Sequence, residues 1–251
     1  PVEIAGQTAA LDAASGGRAF LGLVRGAWLD ELGLDTSRPV RALREAVEVV
    51  RRLLAGDASG FEGDRFSLAP GARLRYEPLR PRVPLSIGTW SERLAALAGE
   101  VADELKIGGT ANPALVPAMR ARIGNDRVRI VVGAVTVVDE DGPAARRRAR
   151  AEAALYFPVV AGRDPTLGAD EALVERVKAL VDAGDAAAAG ALIPDELLDR
   201  LAFSGTPEQV AAQAQAVYDA GALRVEFGTP HGLTHRRGVE LLVSRVLPAL
   251  R

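Results

Sequence analysis

Small residues follow three apolar segments of this chain, at positions where a ligand could approach the backbone closely. Glycine permits that approach because it has no Cβ, and it also tolerates the backbone angles of tight turns. Turns alone would explain each position separately, whereas the three together favour a binding site for a flat ring or a phosphate. None of them matches the GxGxxG fingerprint or the P-loop pattern. The candidates are Gly22 with Gly26, Gly88 with Thr89, and Gly108 with Gly109 and Thr110.

A histidine follows the last apolar segment, in the sequence Gly-Thr-Pro-His-Gly at residues 228–232. Imidazole titrates near neutral pH, so His231 is a candidate proton donor or phosphate contact. A histidine with only a loop role is an equally good interpretation. His235, beside Arg236 and Arg237, is more typical of a surface cluster at a helix start.

Four further residues near the ends of these segments have two interpretations each. Asp30 and Glu31 could reach the same end of the sheet, although exposed carboxylates that cap a turn explain them more simply. Trp28 and Trp90 could form walls of a cofactor pocket, or they could pack loops. The pattern therefore assigns no catalytic residue.

Five segments are short enough, or rich enough in β-branched residues, to be buried parallel strands. They lie at residues 19–24, 83–87, 104–107, 128–138 and 223–227. Helical patterns separate them, and strands that alternate with helices indicate a parallel sheet. The sequence alone leaves two α/β architectures open, a doubly wound sheet and an eight-stranded β/α barrel. Five strands are fewer than the eight that a closed barrel needs.

Three helices have clear sequence signals. A helix-like segment spans residues 2–14, before Gly16. Apolar residues from Val40 to Leu54 recur at intervals of three and four, with Pro39 near the start and Gly56 past the end. Thr-Pro-Glu-Gln at 206–209 has the pattern of a capping box and predicts a helix to about residue 220. Long connections span residues 57–82 and, mostly helical, 156–206.

Length and composition favour a single soluble domain over residues 1–251. With 48% hydrophobic and 25% charged residues, the chain can bury a full core. A formal charge of −2 without long basic runs argues against a nucleic-acid partner. The densest basic patch has the pattern of a solvated helix face. It consists of Arg146, Arg147, Arg148 and Arg150.

Several classes of site are excluded or disfavoured by residue counts. The chain has no cysteine, which excludes disulfides and cysteine nucleophiles, and its two histidines leave little for a metal site, so we expect no metal. No apolar stretch approaches about 18 uncharged residues, and no signal-peptide pattern occurs. We therefore expect a cytoplasmic protein that does not enter a membrane. A small-molecule substrate and a homodimer are further expectations, and these counts do not bear on either.

Three segments carry a resemblance to the bacterial luciferase-like superfamily: GGRAFLGL at 16–23, AGEVAD at 98–103 and TPEQ at 206–209. Within it they are most similar to the deazaflavin-dependent branch typified by methylenetetrahydromethanopterin reductase. Members of this superfamily are eight-stranded barrels that hold FMN or the deazaflavin coenzyme F-420 at the carboxyl ends of the strands. The resemblance implies the same barrel here, with its first three strands missing from this chain.

The resemblance also implies an activity and a set of cofactor contacts. The activity is hydride transfer between coenzyme F-420 and a small organic substrate. The alternatives are an FMN-dependent monooxygenase of the same superfamily and a non-catalytic cofactor-binding relative. The family usually has glycine where this chain has Val24, and some deazaflavin enzymes have an acid where it has Ala27, so the proton donor is not assigned. The expected cofactor contacts are Gly22, Val24, Gly88, Thr89, Gly108, Gly109, Thr110 and His231.

Overall fold

The computed structural model of the protein describes residues 1–26, 29 and 32–251. The chain divides into two compact units. The first consists of Pro1–Leu105 and Arg122–Val128, and the second of Lys106–Ala121 and Arg129–Arg251. Among the described residues, no helix is both long enough and apolar enough to cross a membrane.

The first unit combines helices with the beginning of a parallel sheet. Strands β1 (Leu21–Val24) and β4 (Leu85–Gly88) pair in parallel, with Leu21 opposite Leu85 and Val24 opposite Gly88. Strand β5 contributes its first two residues here and the rest to the second unit. In chain order, the elements are α1 (Val2–Ala14), β1 (Leu21–Val24), α2 (Pro39–Ala55), β2 (Phe61–Glu62), β3 (Ser67–Leu68), β4 (Leu85–Gly88), α3 (Glu92–Val101) and β5 (Glu104–Gly108).

Helix α2 follows its sequence pattern closely. Pro39 lies in its first turn, and Gly56 ends it with a left-handed φ of 70°. The apolar residues at three- and four-residue intervals are buried, among them Val47, Val50 and Leu54. The predictions of α1 and α2 are therefore confirmed.

A short hairpin lies inside the connection that the sequence analysis left without structure. β2 and β3 are antiparallel and have two residues each, too few to show an alternating pattern. The buried carboxylate of Glu45 on α2 accepts hydrogen bonds from the backbone N–H groups of Asp64, Arg65 and Phe66, at 3.1, 2.7 and 3.1 Å. This distant carboxylate, rather than a local signal, holds the hairpin turn.

The second unit is built around the long central strand β6 (Arg129–Val138). It pairs in parallel with β7 (Ala202–Gly205) at Val135–Val138 and with β8 (Arg224–Gly232) along Val131–Val138. Its elements are α4 (Leu115–Ile123, whose last two residues belong to the first unit), β6 (Arg129–Val138), α5 (Gly142–Ala154), α6 (Phe157–Ala161), α7 (Glu171–Asp182), α8 (Ala186–Ala191), α9 (Asp195–Leu201), β7 (Ala202–Gly205), α10 (Pro207–Asp219), β8 (Arg224–Gly232) and α11 (His235–Leu241). A π-helical turn (Leu242–Val246) and a 3-10 turn (Leu247–Ala249) follow.

All five predicted strands are present, as β1, β4, β5, β6 and β8, and the parallel α/β class is confirmed. The sequence analysis missed β7, which lies directly before the capping box of α10. That capping box has both of its hydrogen bonds, from Thr206 N–H to Gln209 Oε1 and from Gln209 N–H to Thr206 Oγ1. The connection at 156–206 is otherwise helical, as predicted.

The arginine cluster of α5 differs from the predicted solvated face. The side chains of Arg146 and Arg150 are only 18% and 20% exposed, and both bind Asp195 at the start of α9. The prediction is wrong for these two residues because neutralisation by Asp195 allows them to lie between two helices. Arg148 forms an exposed pair with Glu152 one turn along α5.

Candidate cofactor site

The carboxyl ends of β1 and β4 bring Gly22, Val24 and Gly88 together in the first unit. A Cβ on Gly22 would meet no atom within 4 Å, so the backbone there is uncovered. A Cβ on Gly88 would lie 2.5 Å from Cγ1 of Val24, whose side chain is well exposed. Gly22 thus offers a bare backbone, whereas Val24 partly covers Gly88.

Thr89 organises the turn from β4 to α3. Its Oγ1 accepts a hydrogen bond from Ser91 N–H at 3.0 Å, and Ser91 is the N-cap residue of α3 without a capping bond of its own. Trp90 is half-buried, and its carbonyl accepts a hydrogen bond from Arg122.

Four residues of the sequence analysis, Ala27, Trp28, Asp30 and Glu31, lie outside the described residues. An acid, a proton donor or an aromatic wall at these positions therefore stays a prediction.

A cavity of about 190 Å³ opens at the end of β1, between that strand and the first turn of α2. Its lining is mostly apolar and includes Val24 and Phe66; its polar members are Arg25, Asp35, Thr36 and Ser37. Hydrogen bonds from Arg65 and Ser37 hold the pKa of Asp35 well below its usual value, so this carboxylate is charged at neutral pH. The cavity is thus mostly apolar, with the charged residues Arg25 and Asp35 in its lining. It adjoins Val24, one of the candidate cofactor contacts.

The Gly108–Thr110 turn of the second unit is tied to neighbouring strands. Gly109 has a left-handed φ of 82°, and its N–H donates to the Gly133 carbonyl at 2.7 Å. Thr110 N–H reaches the same oxygen at 3.2 Å, and the fully buried Thr110 hydroxyl donates to the Arg200 carbonyl. These donors are engaged within the protein, and α4 begins only at Leu115. A phosphate held by this turn and a following helix stays a prediction.

A buried polar network that the sequence analysis missed supports this turn. Asn112 donates from its amide to Asp164 at 3.2 Å and to Thr166 at 2.8 Å. Asn112 and Asp164 are 2% and 3% exposed. The asparagine before a proline, directly after the glycine turn, is the only sequence signal that could have indicated it.

His231 has a left-handed φ of 76° and bonds at both ring nitrogens. Its Nε2 lies 3.1 Å from the Phe227 carbonyl, and its Nδ1 lies 3.1 Å from Nδ1 of His235. A carbonyl only accepts, so Nε2 carries the proton, and in neutral His231 the Nδ1 atom accepts from His235. His235 begins α11, as predicted, and also orients the candidate residue.

Comparisons with known proteins bear on the whole chain. Residues 1–224 match the family model described as luciferase-like monooxygenase. The 5,10-methylenetetrahydromethanopterin reductase of Archaeoglobus fulgidus is 31% identical over 94% of this chain and 75% of its own length. The enzyme of the same name from Methanolobus tindarius is 26% identical over 94% of this chain and 76% of its own length.

Solved structures agree with the fold. A coenzyme F-420 dependent tetrahydromethanopterin reductase from Methanopyrus kandleri superposes with a TM-score of 0.85, at 23% identity over 98% of this chain and 78% of that one. An F-420-dependent secondary alcohol dehydrogenase gives a TM-score of 0.72 at 21% identity, over 99% of this chain and 74% of that one. On the family match and the Archaeoglobus relative together, this chain belongs to the bacterial luciferase-like monooxygenase family.

Proposed function

We propose that this protein is an oxidoreductase that transfers a hydride between coenzyme F-420 and a small organic substrate. The observation that carries the proposal is the 31% identity to the Archaeoglobus methylenetetrahydromethanopterin reductase over 94% of this chain. A C1-carrying tetrahydropterin is therefore the first substrate to test. The deazaflavin supplies the hydride chemistry when it is bound, and the protein orients it and its substrate.

Two glycines among the strand-end residues have an uncovered backbone, which fits a flat cofactor. The Cβ positions of Gly22 and Gly108 have no atom within 4 Å, so a ring could lie directly against either backbone. Gly109, with its left-handed φ, carries the chain away from the end of β5. The residues that we assign to the cofactor are Gly22, Val24, Gly88 and Thr89 in the first unit, and Gly108, Gly109, Thr110 and His231 in the second.

The same proposal includes an architecture. We assign the parallel strands to an eight-stranded β/α barrel that forms one domain over residues 1–251. The TM-score of 0.85 over 98% of the chain supports this assignment. The homodimer and the cytoplasmic location expected from the sequence stay predictions.

Titration of the purified protein with coenzyme F-420 and with FMN tests the cofactor. We expect tighter binding of F-420, followed by F-420H2-dependent reduction of methylenetetrahydromethanopterin without oxygen consumption. A deazaflavin lacks the ring nitrogen at which reduced flavins react readily with oxygen. Tighter binding of FMN would contradict the proposal.

The second candidate is an FMN-dependent monooxygenase. The family description favours it, as does a monooxygenase from Streptomyces bottropensis that superposes with a TM-score of 0.66. Oxygen consumption with reduced FMN would identify this activity. Cofactor binding without turnover of either kind would instead indicate a non-catalytic relative.

A further inference from the structure

A lysine and a glutamate form an ion pair on the sheet of the second unit. Lys106 follows the fully buried Leu105 and precedes the fully buried Ile107 on β5, yet its own side chain is 44% exposed. Its ammonium donates a hydrogen bond to Oε2 of Glu226 on β8, which is 33% exposed. Arg224 lies 3.7 Å from the other carboxylate oxygen. The pair therefore lies on an accessible face and not in the core.

A glycine on the strand between them gives the pair its space. β8 pairs along one side of β6, and β5 lies on the other, so Lys106 and Glu226 meet across β6. Gly133 of β6 stands opposite Glu226 in the register. A Cβ on Gly133 would lie 3.4 Å from Cβ of Glu226 and 3.7 Å from its Oε2. A side chain there would begin in van der Waals contact with Glu226, whereas glycine leaves the pair uncrowded.

Further glycines surround the pair. Residues two apart on a strand share a face, which puts Gly108 beside Lys106 and Gly228 beside Glu226. No atom lies within 4 Å of the Cβ position of Gly108. The carbonyl of Gly133 accepts the Gly109 N–H, which connects this face to the candidate cofactor turn. Of these two glycines, Gly228 is packed, since a Cβ there would lie 2.6 Å from the Ala134 carbonyl oxygen, whereas Gly108 is uncovered. The pair thus adjoins the open backbone of Gly108 and the candidate cofactor turn.

Lysine is an unusual choice in this chain. Of the 31 basic residues other than histidine, only Lys106 and Lys178 are lysines. Lys178 forms an exposed pair with Asp182 one turn along α7, which is a common surface arrangement. An ammonium is a compact donor of three hydrogen bonds, whereas a guanidinium is a wide planar fork. Lys106 therefore keeps donors beyond the one used by Glu226.

We propose that the Lys106–Glu226 pair binds the edge of a pyrimidinone ring, where a ring N–H adjoins a carbonyl oxygen. Glu226 accepts from the ring N–H, and Lys106 donates to the adjoining carbonyl. The uncovered backbone at Gly108 leaves room for the flat ring. This inference rests on the proposed function, which brings two such rings to the protein: the pyrimidine ring of the deazaflavin and the pterin of the tetrahydropterin substrate.

Two substitutions test the pair, with a matched control. Lys106→Met removes the donor, and Glu226→Gln keeps an acceptor for Lys106 but replaces the second acceptor oxygen by an amide N–H. The control is Lys178→Met, the same substitution at the other lysine. For each variant, the dissociation constant of F-420 is measured by fluorescence and the KM for methylenetetrahydromethanopterin by F-420H2 oxidation. Circular dichroism and the melting temperature report folding.

We expect each variant of the pair to raise one of the two constants at least tenfold, and Lys178→Met to change neither. A raised dissociation constant assigns the site to the deazaflavin, and a raised KM alone assigns it to the pterin. A purely structural ion pair would leave both constants unchanged in folded Glu226→Gln, because the amide oxygen still accepts from Lys106. That result would overturn the inference.

The outcome for the wild type separates this inference from the proposed function. If the wild type binds FMN and not F-420, the proposed coenzyme is wrong, and the same variants are titrated with FMN, which carries the same pyrimidine edge. A tenfold loss of FMN binding then supports the inference, and unchanged binding overturns it. If the wild type binds neither cofactor, both fail.

Discussion

Cγ1 of Val24 occupies the space that a side chain on Gly88 would need, since a Cβ on Gly88 would lie 2.5 Å from it. The two residues are opposite each other in the parallel pairing of β1 with β4. The backbone of Gly88 has no left-handed φ. The neighbouring valine, and not the backbone conformation, therefore requires glycine at this strand end.

This relationship predicts a compensating pair of substitutions. Gly88→Ala should lower the free energy of unfolding by about 1 kcal/mol, the low end of the cost of overpacking, because the exposed Val24 side chain can partly move away. Val24→Ala in the same chain removes Cγ1 and should restore most of that loss. Urea denaturation of the two single variants and the double variant measures the coupling. Gly22→Ala is the control, because nothing lies near the Cβ position of Gly22. Equal losses of unfolding free energy in Gly22→Ala and Gly88→Ala would contradict a clash with Val24.

Gly109→Val should weaken cofactor binding at least tenfold, which corresponds to about 1.4 kcal/mol. A β-branched side chain would both crowd the approach to the turn and strain a φ of 82°. Gly184→Val separates these effects, because Gly184 has a φ of 80° with no atom near its Cβ position and lies between α7 and α8. Fluorescence titration should show the loss only for Gly109→Val, with unchanged circular dichroism spectra for both variants. Unaltered affinity of Gly109→Val would count against the site.

His231→Ala should retain cofactor binding. Both ring nitrogens of His231 already bond to the Phe227 carbonyl and to His235, so the strand-end turns carry most of the interaction. His231→Asn is the matched variant, because asparagine tolerates a left-handed φ better than alanine does. Loss of all cofactor binding in both variants, measured in the same titration, would show that the histidine is essential.

Asp12 makes the stability of the first unit depend on pH. Its buried carboxylate accepts two hydrogen bonds from Arg80 and one from Ala19 N–H. The hydrogen bonds from Arg80 lower the pKa of Asp12 below its usual value near 4. A group with a lowered pKa stabilises the folded state above its unfolded pKa, and this contribution is lost as pH falls through the folded value.

Asp12→Asn should therefore lower the urea midpoint at pH 7, and the gap from the wild type should shrink as pH falls from about 4 toward 2. Asp182→Asn serves as the control, because its carboxylate pairs with Lys178 on an exposed helix face. If the urea midpoints of Asp12→Asn and the wild type differ by the same amount from pH 7 to pH 2, the pKa of Asp12 does not contribute to the pH dependence of stability.

Glu45→Ala should loosen the β2–β3 hairpin and lower the free energy of unfolding by about 2 kcal/mol, since three backbone donors lose a charged acceptor. Hydrogen exchange should accelerate at the amides of Asp64, Arg65 and Phe66. Arg44→Ala, on the same helix and in an exposed pair with Glu100, is the comparison. Equal acceleration in both variants would refute a specific role for Glu45.

The local elements of this fold were predictable from the sequence because their signals are local. Helix α2 has apolar residues at helical spacing between Pro39 and Gly56, and α10 has a capping box that forms as written. The five main strands are apolar segments bounded by turns. The β2–β3 hairpin was missed because two-residue strands have no period to detect. Strand β7 was missed because its sequence, Ala-Phe-Ser-Gly, has no β-branched residue and directly follows α9.

The chemistry of the candidate site depended on contacts between distant residues, which no local pattern encodes. The glycine turn at 108–110 was visible in the sequence. Only the fold shows that the Gly133 carbonyl accepts the N–H groups of Gly109 and Thr110. His231 was visible as a candidate, but its partners decide its tautomer. Lys106 and Glu226, 120 residues apart, become a pair only because parallel strands bring them to either side of Gly133. Periodicity determines which segments form strands, whereas the order and register of those strands decide which side chains meet.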